Sequence, residues 1–391
     1  MSFDLDIGQL PDPPSGDGEG TIVDTFTTPV AYKFAFIGVG QAGGRLAKTF
    51  QDLGYARVCA VNTAVSDLAE LTTFPASSKL DVGDQQGAGK DPAAAAILFD
   101  GQHESLIELM ARSWGPDVDY VFVCFAAGGG TGAGGFTAVA NAAKDYMRSL
   151  KKPARVGCIM AMPKDSEGQR PASNTVYSVK QLAGLNLSPI IFVDNERFKS
   201  LYGKKIAAQQ EKPASNAGTA KLFHVFNQLA GTKSESVGGT TFDAGDFSKL
   251  LDSGVVAFAA ATAKDWVTPG AVSQAIRNQL EQNVLASIKL GDGNVAGLLY
   301  VITGKAWEGD NPVTVEQLDS GVEMLNRMLC GKDSAKSTTV FSGVYPAGSA
   351  TDEIQILGMI GGLPYPKGRL QELASKAGHS RDAVAEHLGI F

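Results

Sequence analysis

Cysteine is scarce: 391 residues hold four, at 59, 124, 158 and 330. Three of them sit inside apolar runs (Val58-Cys-Ala-Val, Val123-Cys-Phe-Ala and Gly157-Cys-Ile-Met). Thiols placed this way read as buried strand residues, which excludes a disulfide framework or a cysteine-built metal site and fits a reducing cytoplasm. Basic residues are also in short supply, 34 Lys and Arg against 41 Asp and Glu, for a net charge of −7. A protein whose main work is neutralising a phosphate backbone needs the opposite balance, so direct DNA binding is expected to be weak. Long apolar runs free of glycine are missing as well. The longest uncharged stretch, 120–143, carries six glycines between Gly128 and Gly135, which would break a spanning helix. No basic segment followed by an apolar one opens the chain. A cytoplasmic protein with no membrane partner is the expectation.

Residues 1–30 lack any positive charge and hold six acids, four prolines and several glycines, so they cannot build a core. They read as an acidic arm with at most a short ordered piece. From Lys33 onward, short apolar runs alternate with helical periodicities, the pattern of an α/β fold with a parallel sheet under covering helices. Strands are expected at 34–39, 57–61, 120–126, 156–162 and 189–193. Asp91-Pro92 reads as a capping carboxylate before a proline in the first helical position, and Thr268-Pro269 as the same device. Ala220, Phe223, Phe226 and Leu229 recur at the spacing of a connecting helix. A second, α+β block follows, with strands at 255–262, 295–303, 338–344 and 354–360 and helices at 269–290 and 313–329. A closing helix is expected at 369–388.

Two glycine loops stand at strand ends. Gly38, Gly40 and Gly43 have the G-x-G-x-x-G spacing between a strand and a helix bearing Leu46, Phe50 and Leu53, where backbone N–H groups can meet a phosphate. A dinucleotide site would require an acid after the next strand for the ribose, yet Asn62-Thr63 stands there, which weakens a nicotinamide oxidoreductase reading. The second loop, Phe125-Ala-Ala-Gly-Gly-Gly-Thr-Gly-Ala-Gly-Gly135, again joins strand to helix. It lacks the Lys-Ser/Thr of a P-loop, so amides, Thr131 and a metal held through the phosphates would meet the charge.

Gly128-Gly129-Gly130-Thr131-Gly132-Ala133-Gly134 resembles the signature loop of the tubulin and FtsZ superfamily of GTPases, and Gly40-Gln41-Ala42-Gly43 resembles its first nucleotide loop. The likeness runs in order from about residue 33 to 370. Val61-Asn62-Thr63 is similar to the second loop, and Gly87-Ala88-Gly89-Lys90-Asp91-Pro92 to the loop that senses the γ-phosphate. The stretch from Met162 and Pro163 to Arg170 resembles the sugar-contacting loop, with Glu167 and Arg170 at nucleotide positions. Asn195 matches the residue that reads the guanine edge, and Asn216 a second base-facing residue on the central helix. Asp243 and Asp246 read by themselves as an N-cap and a first-turn acid. The resemblance instead places them in the loop that enters the next subunit's pocket to orient the attacking water.

This likeness implies a parallel-sheet GTPase domain (31–205), a central helix (206–236), an α+β activation domain (237–366), and a C-terminal helix and tail (367–391). It implies GTP/GDP with Mg2+, no dedicated protein metal site, and a head-to-tail homopolymer that hydrolyses GTP at its interfaces. Within the superfamily, Thr241-Phe-Asp-Ala-Gly-Asp-Phe247, Gln86-Gly-Ala-Gly-Lys-Asp-Pro92 and Gly361-Gly-Leu-Pro-Tyr-Pro-Lys367 resemble the TubZ branch, plasmid and phage tubulins that move or segregate DNA. Archaeal CetZ proteins share the Gly-Gln-Ala-Gly-Gly first loop, and a CetZ-like role in cell shape is the alternative. A nucleotide-binding scaffold without useful turnover is a third reading. With four bases against three acids after residue 366, a DNA role would need a DNA-binding adaptor, expected to dock on 369–391, where Leu388, Ile390 and Phe391 are apolar.

Overall fold

A computed structural model of the chain describes residues 22–26, 28–83, 87–232, 241–331, 336–348 and 351–378. The described residues form two compact units. The first comprises 22–26, 32–220 and 367–378; the second comprises the described residues of 28–31 and 221–366.

The first unit alternates strand and helix as β1 (Phe34–Val39), α1 (Gly40–Asp52), β2 (Val58–Asn62), α2 (Val65–Ala69), β3 (Lys79–Asp81), α3 (Pro92–Phe99) and α4 (His103–Trp114). It continues through β4 (Tyr120–Ala126), α5 (Thr131–Ser149), β5 (Val156–Met162), α6 (Gln169–Ala183), β6 (Ile190–Asp194) and α7 (Asn195–Tyr202). Its strands lie in the order β3-β2-β1-β4-β5-β6, and each pair is parallel. Every residue of β1, β2 and β6 is buried, as strands covered on both faces must be. The order reverses between β1 and β4, and ligands of open α/β sheets bind beyond the carboxyl ends of strands at such a switch point. Burial holds the thiols of Cys59, Cys124 and Cys158 well above their usual range, so these cysteines are packing residues.

The Asp91 cap is present: its Oδ1 accepts from the N–H groups of Ala93 and Ala94, with Pro92 next in line. The described part of the acidic arm is ordered at residues 22–26. Asp24 pairs with the buried Arg57 at 2.8 Å and accepts from Ala56 N, while Phe26 meets Tyr55 edge-on. Residues 1–21 lie outside the described part.

The helix α8 (Glu211–Gly231) begins in the first unit and ends in the second. There follow α9 (Ala244–Leu251), β7 (Val255–Ala263), α10 (Ala271–Ala275), β8 (Val295–Thr303), α11 (Lys305–Glu308), α12 (Val315–Cys330), β9 (Thr339–Ala347) and β10 (Glu353–Leu363). The second unit's strands run β7-β10-β8-β9: β10 is antiparallel to both neighbours and β8 is parallel to β9. Phe226, Phe242, Phe247 and Phe258 cluster in its core.

Two expectations fail here. No continuous helix covers 269–290: α10 gives way to a π-helical turn at Ile276–Leu280 and a 3-10 turn at Glu281–Asn283. The amides of Gln279 and Asn283 bond the backbone of β7 at Thr262 and Ala260, which draws this stretch out of α geometry. Thr268 does not cap it either, because its hydroxyl donates to Asp265 and Gly270 occupies the cap. The last helix, α13 (Lys367–Lys376), returns to the first unit and packs on α6. The expected stretch to Leu388, with Ile390 and Phe391, lies outside the described residues. No described helix is long and apolar enough to cross a membrane.

Candidate functional site

Parallel pairing brings the candidate loops to one edge. The register sets Val39 level with Val61 and Phe125, Ala126 with Ala161, and Met162 with Asp194. The residues that follow these strand ends therefore form a row: Asn62-Thr63, then Gly40–Gly43, Gly128–Gly134, Pro163–Arg170 and Asn195. With strands about 4.8 Å apart, β1 to β6 spans roughly 14 Å. A ligand laid across that row would meet the two glycine loops at one end and Asn195 at the other.

A cleft of about 320 Å³ opens at the switch point. Its walls include Gly40, Gln41, Ala42, Gly87, Ala88, Gly89, Lys90, Gly129, Gly130, Thr131 and Gly132, together with Thr63, Ala64 and Asp67. Helices α1 and α5 both begin here, and neither has a side-chain cap or an acid in its first turn. Side chains cap α3, α7, α9 and α12 (Asp91, Asp194, Asp243 and Thr314), whereas α4 and α6, like α1 and α5, have no such cap. The first turns of α1 and α5 thus aim unpaired N–H groups and the positive ends of two helix dipoles into one cleft, which is the chemistry of an anion site. Gly40 makes the close approach feasible: its φ is +72°, and a Cβ there would lie 3.0 Å from Gly132 N. Gly43 and Gly134 serve packing, since a Cβ would fall 2.3 Å from Cys124 O in one case and 2.1 Å from Pro92 O in the other.

Side chains then fix the loops. The hydroxyls of Thr63 and Thr131 are 2.7 Å apart. Asn62 is buried behind the cleft wall, holding Thr63 N with its carbonyl and Asp67 with its amide. Asp67 also accepts from Gln41 at 3.0 Å and is the sole carboxylate among the described lining residues. Buried Asn174 on α6 donates to the carbonyls of Lys90, Gly128 and Gly129, tying the 87–90 loop to the glycine loop. Asp67 and Asn174 were not singled out from the sequence. Asp67 had a readable signal, a polar side chain one helical turn beyond Asn62-Thr63, whereas Asn174 looks like any polar helix residue.

Pro163, Glu167, Arg170, Asn195 and Asn216 do not border this cleft. Glu167 accepts from Lys164 N and pairs with Lys212 at 3.4 Å, and Arg170 donates to Lys90 O. Asn195 opens α7 behind the Asp194 cap, and Asn216 is half-buried on α8. Gly128 and Ala133 lie in the glycine loop and the start of α5, off the cleft wall. In the second unit, Asp243 caps α9 by accepting from Asp246 N at 2.9 Å, and Asp246 pairs with Lys249 at 3.1 Å. Among the described residues, no group of three or more His, Cys, Asp or Glu could hold a metal ion.

Residues 33–203 match the Tubulin/FtsZ family, GTPase domain. The tubulin-like protein CetZ of Pyrococcus abyssi is 32% identical over 169 residues, 42% of this chain and 44% of that protein. The chain therefore spans less than half the length of that curated relative. CetZ2 of Haloferax volcanii is 27% identical over 362 residues, 90% of this chain and 93% of CetZ2. A TubZ of Bacillus cereus is 24% identical over 294 residues, 69% of this chain and 62% of that protein. Among solved structures, the GTPγS-bound protofilament of Haloferax volcanii CetZ2 superposes with a TM-score of 0.69 at 22% identity, covering 90% of this chain and 99% of that one. A GTPγS-form protofilament of Bacillus thuringiensis TubZ gives 0.72 at 17% identity, covering 90% and 91%. These two establish the shared fold. In sequence, the likeness to CetZ is stronger and longer than that to TubZ.

Proposed function

Because residues 33–203 match the Tubulin/FtsZ family, GTPase domain, we propose that the chain is a GTP-hydrolysing subunit of a head-to-tail cytoskeletal filament of the CetZ-like kind. The observation that carries this reading is the convergence of two uncapped helix N-termini on one cleft at the switch point, with three further loops on the same sheet edge. The family match over 33–203 sets the nicotinamide reading aside. The sequence alone ranked DNA movement first and the CetZ-like role second; the 362-residue match to CetZ2 reverses that order. The expected docking segment for a DNA-binding adaptor, 369–391, lies outside the described residues beyond 378.

In this reading 31–205 is the nucleotide domain, 206–236 the connecting helix and 237–366 the activation domain. The N–H groups of α1 and α5 hold the phosphates, Lys90 faces the γ-phosphate end, Glu167 and Arg170 the sugar, and Asn195 and Asn216 the base. Asp67 and Thr131 fit a Mg2+ held chiefly through the phosphates, which supplies charge neutralisation when bound. Asp243 and Asp246 of one subunit orient the water at the pocket of the next, so that assembly switches on hydrolysis. Donor loop and acceptor cleft are different surfaces, and a heterologous contact that does not close repeats into a filament.

Equilibrium binding of labelled GTP and ATP tests the site, and phosphate release against protein concentration tests the shared catalysis. GTP should bind in preference to ATP, and release per subunit should rise steeply as filaments form. Equal affinity for the two nucleotides would sink the guanine assignment; equal turnover in dilute protein would sink the shared site.

A further inference from the structure

Helix α13 sends one side chain deep into the first unit. Arg369 is 3% exposed, and its guanidinium reaches two loops of the sheet edge at once. On the β5 side it donates to Pro163 O at 2.7 Å and to Asp165 Oδ1 at 2.6 Å. On the β6 side its Nε lies 3.6 Å from Asp194 Oδ1, the buried carboxylate that caps α7. Glu372 from its own helix accepts at 3.1 Å, and Lys376 adds a bond to Asp165 O. The two loops are also joined directly, through Asp165 N and Glu196 Oε2 at 2.9 Å. Its bond to Arg369 holds the Asp165 carboxyl below the usual carboxylate range.

Burying a guanidinium costs more than burying an apolar side chain of similar volume, which would dock α13 equally well. What the guanidinium adds is orientation: it fixes the start of the loop bearing Glu167 and Arg170 relative to the cap of the helix bearing Asn195. We propose that Arg369 is a positioning residue for the nucleotide, setting the sugar-side loop against the base-side helix and coupling nucleotide occupancy to the docking of α13. This inference rests on the assignment of those two loops to the sugar and base. Coupling is reciprocal, so bound nucleotide must strengthen the docking of α13 by the factor that docking strengthens nucleotide binding. None of the contacts of Arg369 reaches the phosphate cleft, so GTP and GDP should respond alike.

The test uses the full chain and its Arg369→Gln and Asp165→Asn variants, with GTP and GDP affinities and hydrogen exchange of the α13 amides measured together. Arg369→Gln should weaken both nucleotides by the same factor, roughly tenfold, and abolish the slowing of α13 exchange that nucleotide produces in the wild type. Asp165→Asn, altering an exposed partner, should give a smaller loss of the same pattern. A folded Arg369→Gln variant with unchanged affinities overturns the proposal, as does a loss confined to GTP. Should Arg369→Gln fail to fold, wild-type α13 exchange that ignores nucleotide, or an Asp165→Asn variant with unaltered affinities, overturns it instead. A wild type that binds neither nucleotide overturns the nucleotide reading and the coupling with it, whereas wild-type binding with an indifferent variant defeats the coupling alone.

Discussion

Asp243 performs a modest task within its own subunit: its carboxylate satisfies one orphan N–H at the start of α9. That task and the proposed one make different demands. Loss of the cap in Asp243→Ala should lower stability by roughly 0.5–2 kcal/mol, readable in a denaturant melt. If the carboxylate also orients water for the neighbouring subunit, turnover in filaments should fall by about two orders of magnitude while GTP binding and sedimentable polymer persist. Asp246→Ala separates the two effects further. Asp246 caps nothing and, among the described residues, its carboxylate pairs with exposed Lys249, so its stability cost should not exceed the roughly 0.3–1 kcal/mol of a first-turn acid and a larger loss of phosphate release is catalytic. A melt that shifts without a change in turnover would leave both acids as helix-end residues.

At the scale of elements, the start of α5 offers the cleanest probe of the cleft. A Cβ on Gly129 would meet only Ala126 O, at an ordinary 3.8 Å, so Gly129→Ala adds a methyl group at the cleft wall without displacing protein. Nucleotide affinity should drop at least tenfold, roughly the worth of one disrupted anion contact, with an unchanged melting temperature in the absence of nucleotide. Gly130 is the poorer choice despite its place in the motif. A Cβ there would lie 2.8 Å from Lys90 Cα and Asp91 N, so Gly130→Val should lower the melting temperature as well. The glycine loops were legible because strand, glycine run and helix are contiguous in the chain, and local spacing carries the signal. The broken helix at 271–283 was not, because Gln279 and Asn283 read as ordinary polar helix positions until β7 claims their amides. Asn174 and Arg369 were hidden for a similar reason: their partners lie 84 and 206 residues away in the chain, beyond the reach of any periodicity.

For the whole molecule, acid stability is set in part by one buried group. His224 on α8 is 2% exposed, and burial pushes its imidazole down to about 4 from an ordinary 6.5. Below pH 6.5 the unfolded chain takes up a proton that the folded chain refuses, so stability falls with pH until the folded pKa is reached near 4. The full loss is about 3 kcal/mol. Thermal melts of the wild type should decline between pH 6.5 and 4 more steeply than those of His224→Phe; parallel curves would show that other groups govern this window. The strand order has a consequence of another kind, for the chain as it is made. β1 can pair with β2 early, but its other edge is reserved for β4, whose Tyr120 stands opposite Phe34 and leaves the ribosome 86 residues later. At cellular elongation rates of about 5–20 residues per second, that edge waits roughly 4 to 17 s. Throughout this interval the free edge of Phe34–Val39, apolar at every position but one glycine, is a template for any other nascent strand, the kind of surface that a holding chaperone covers.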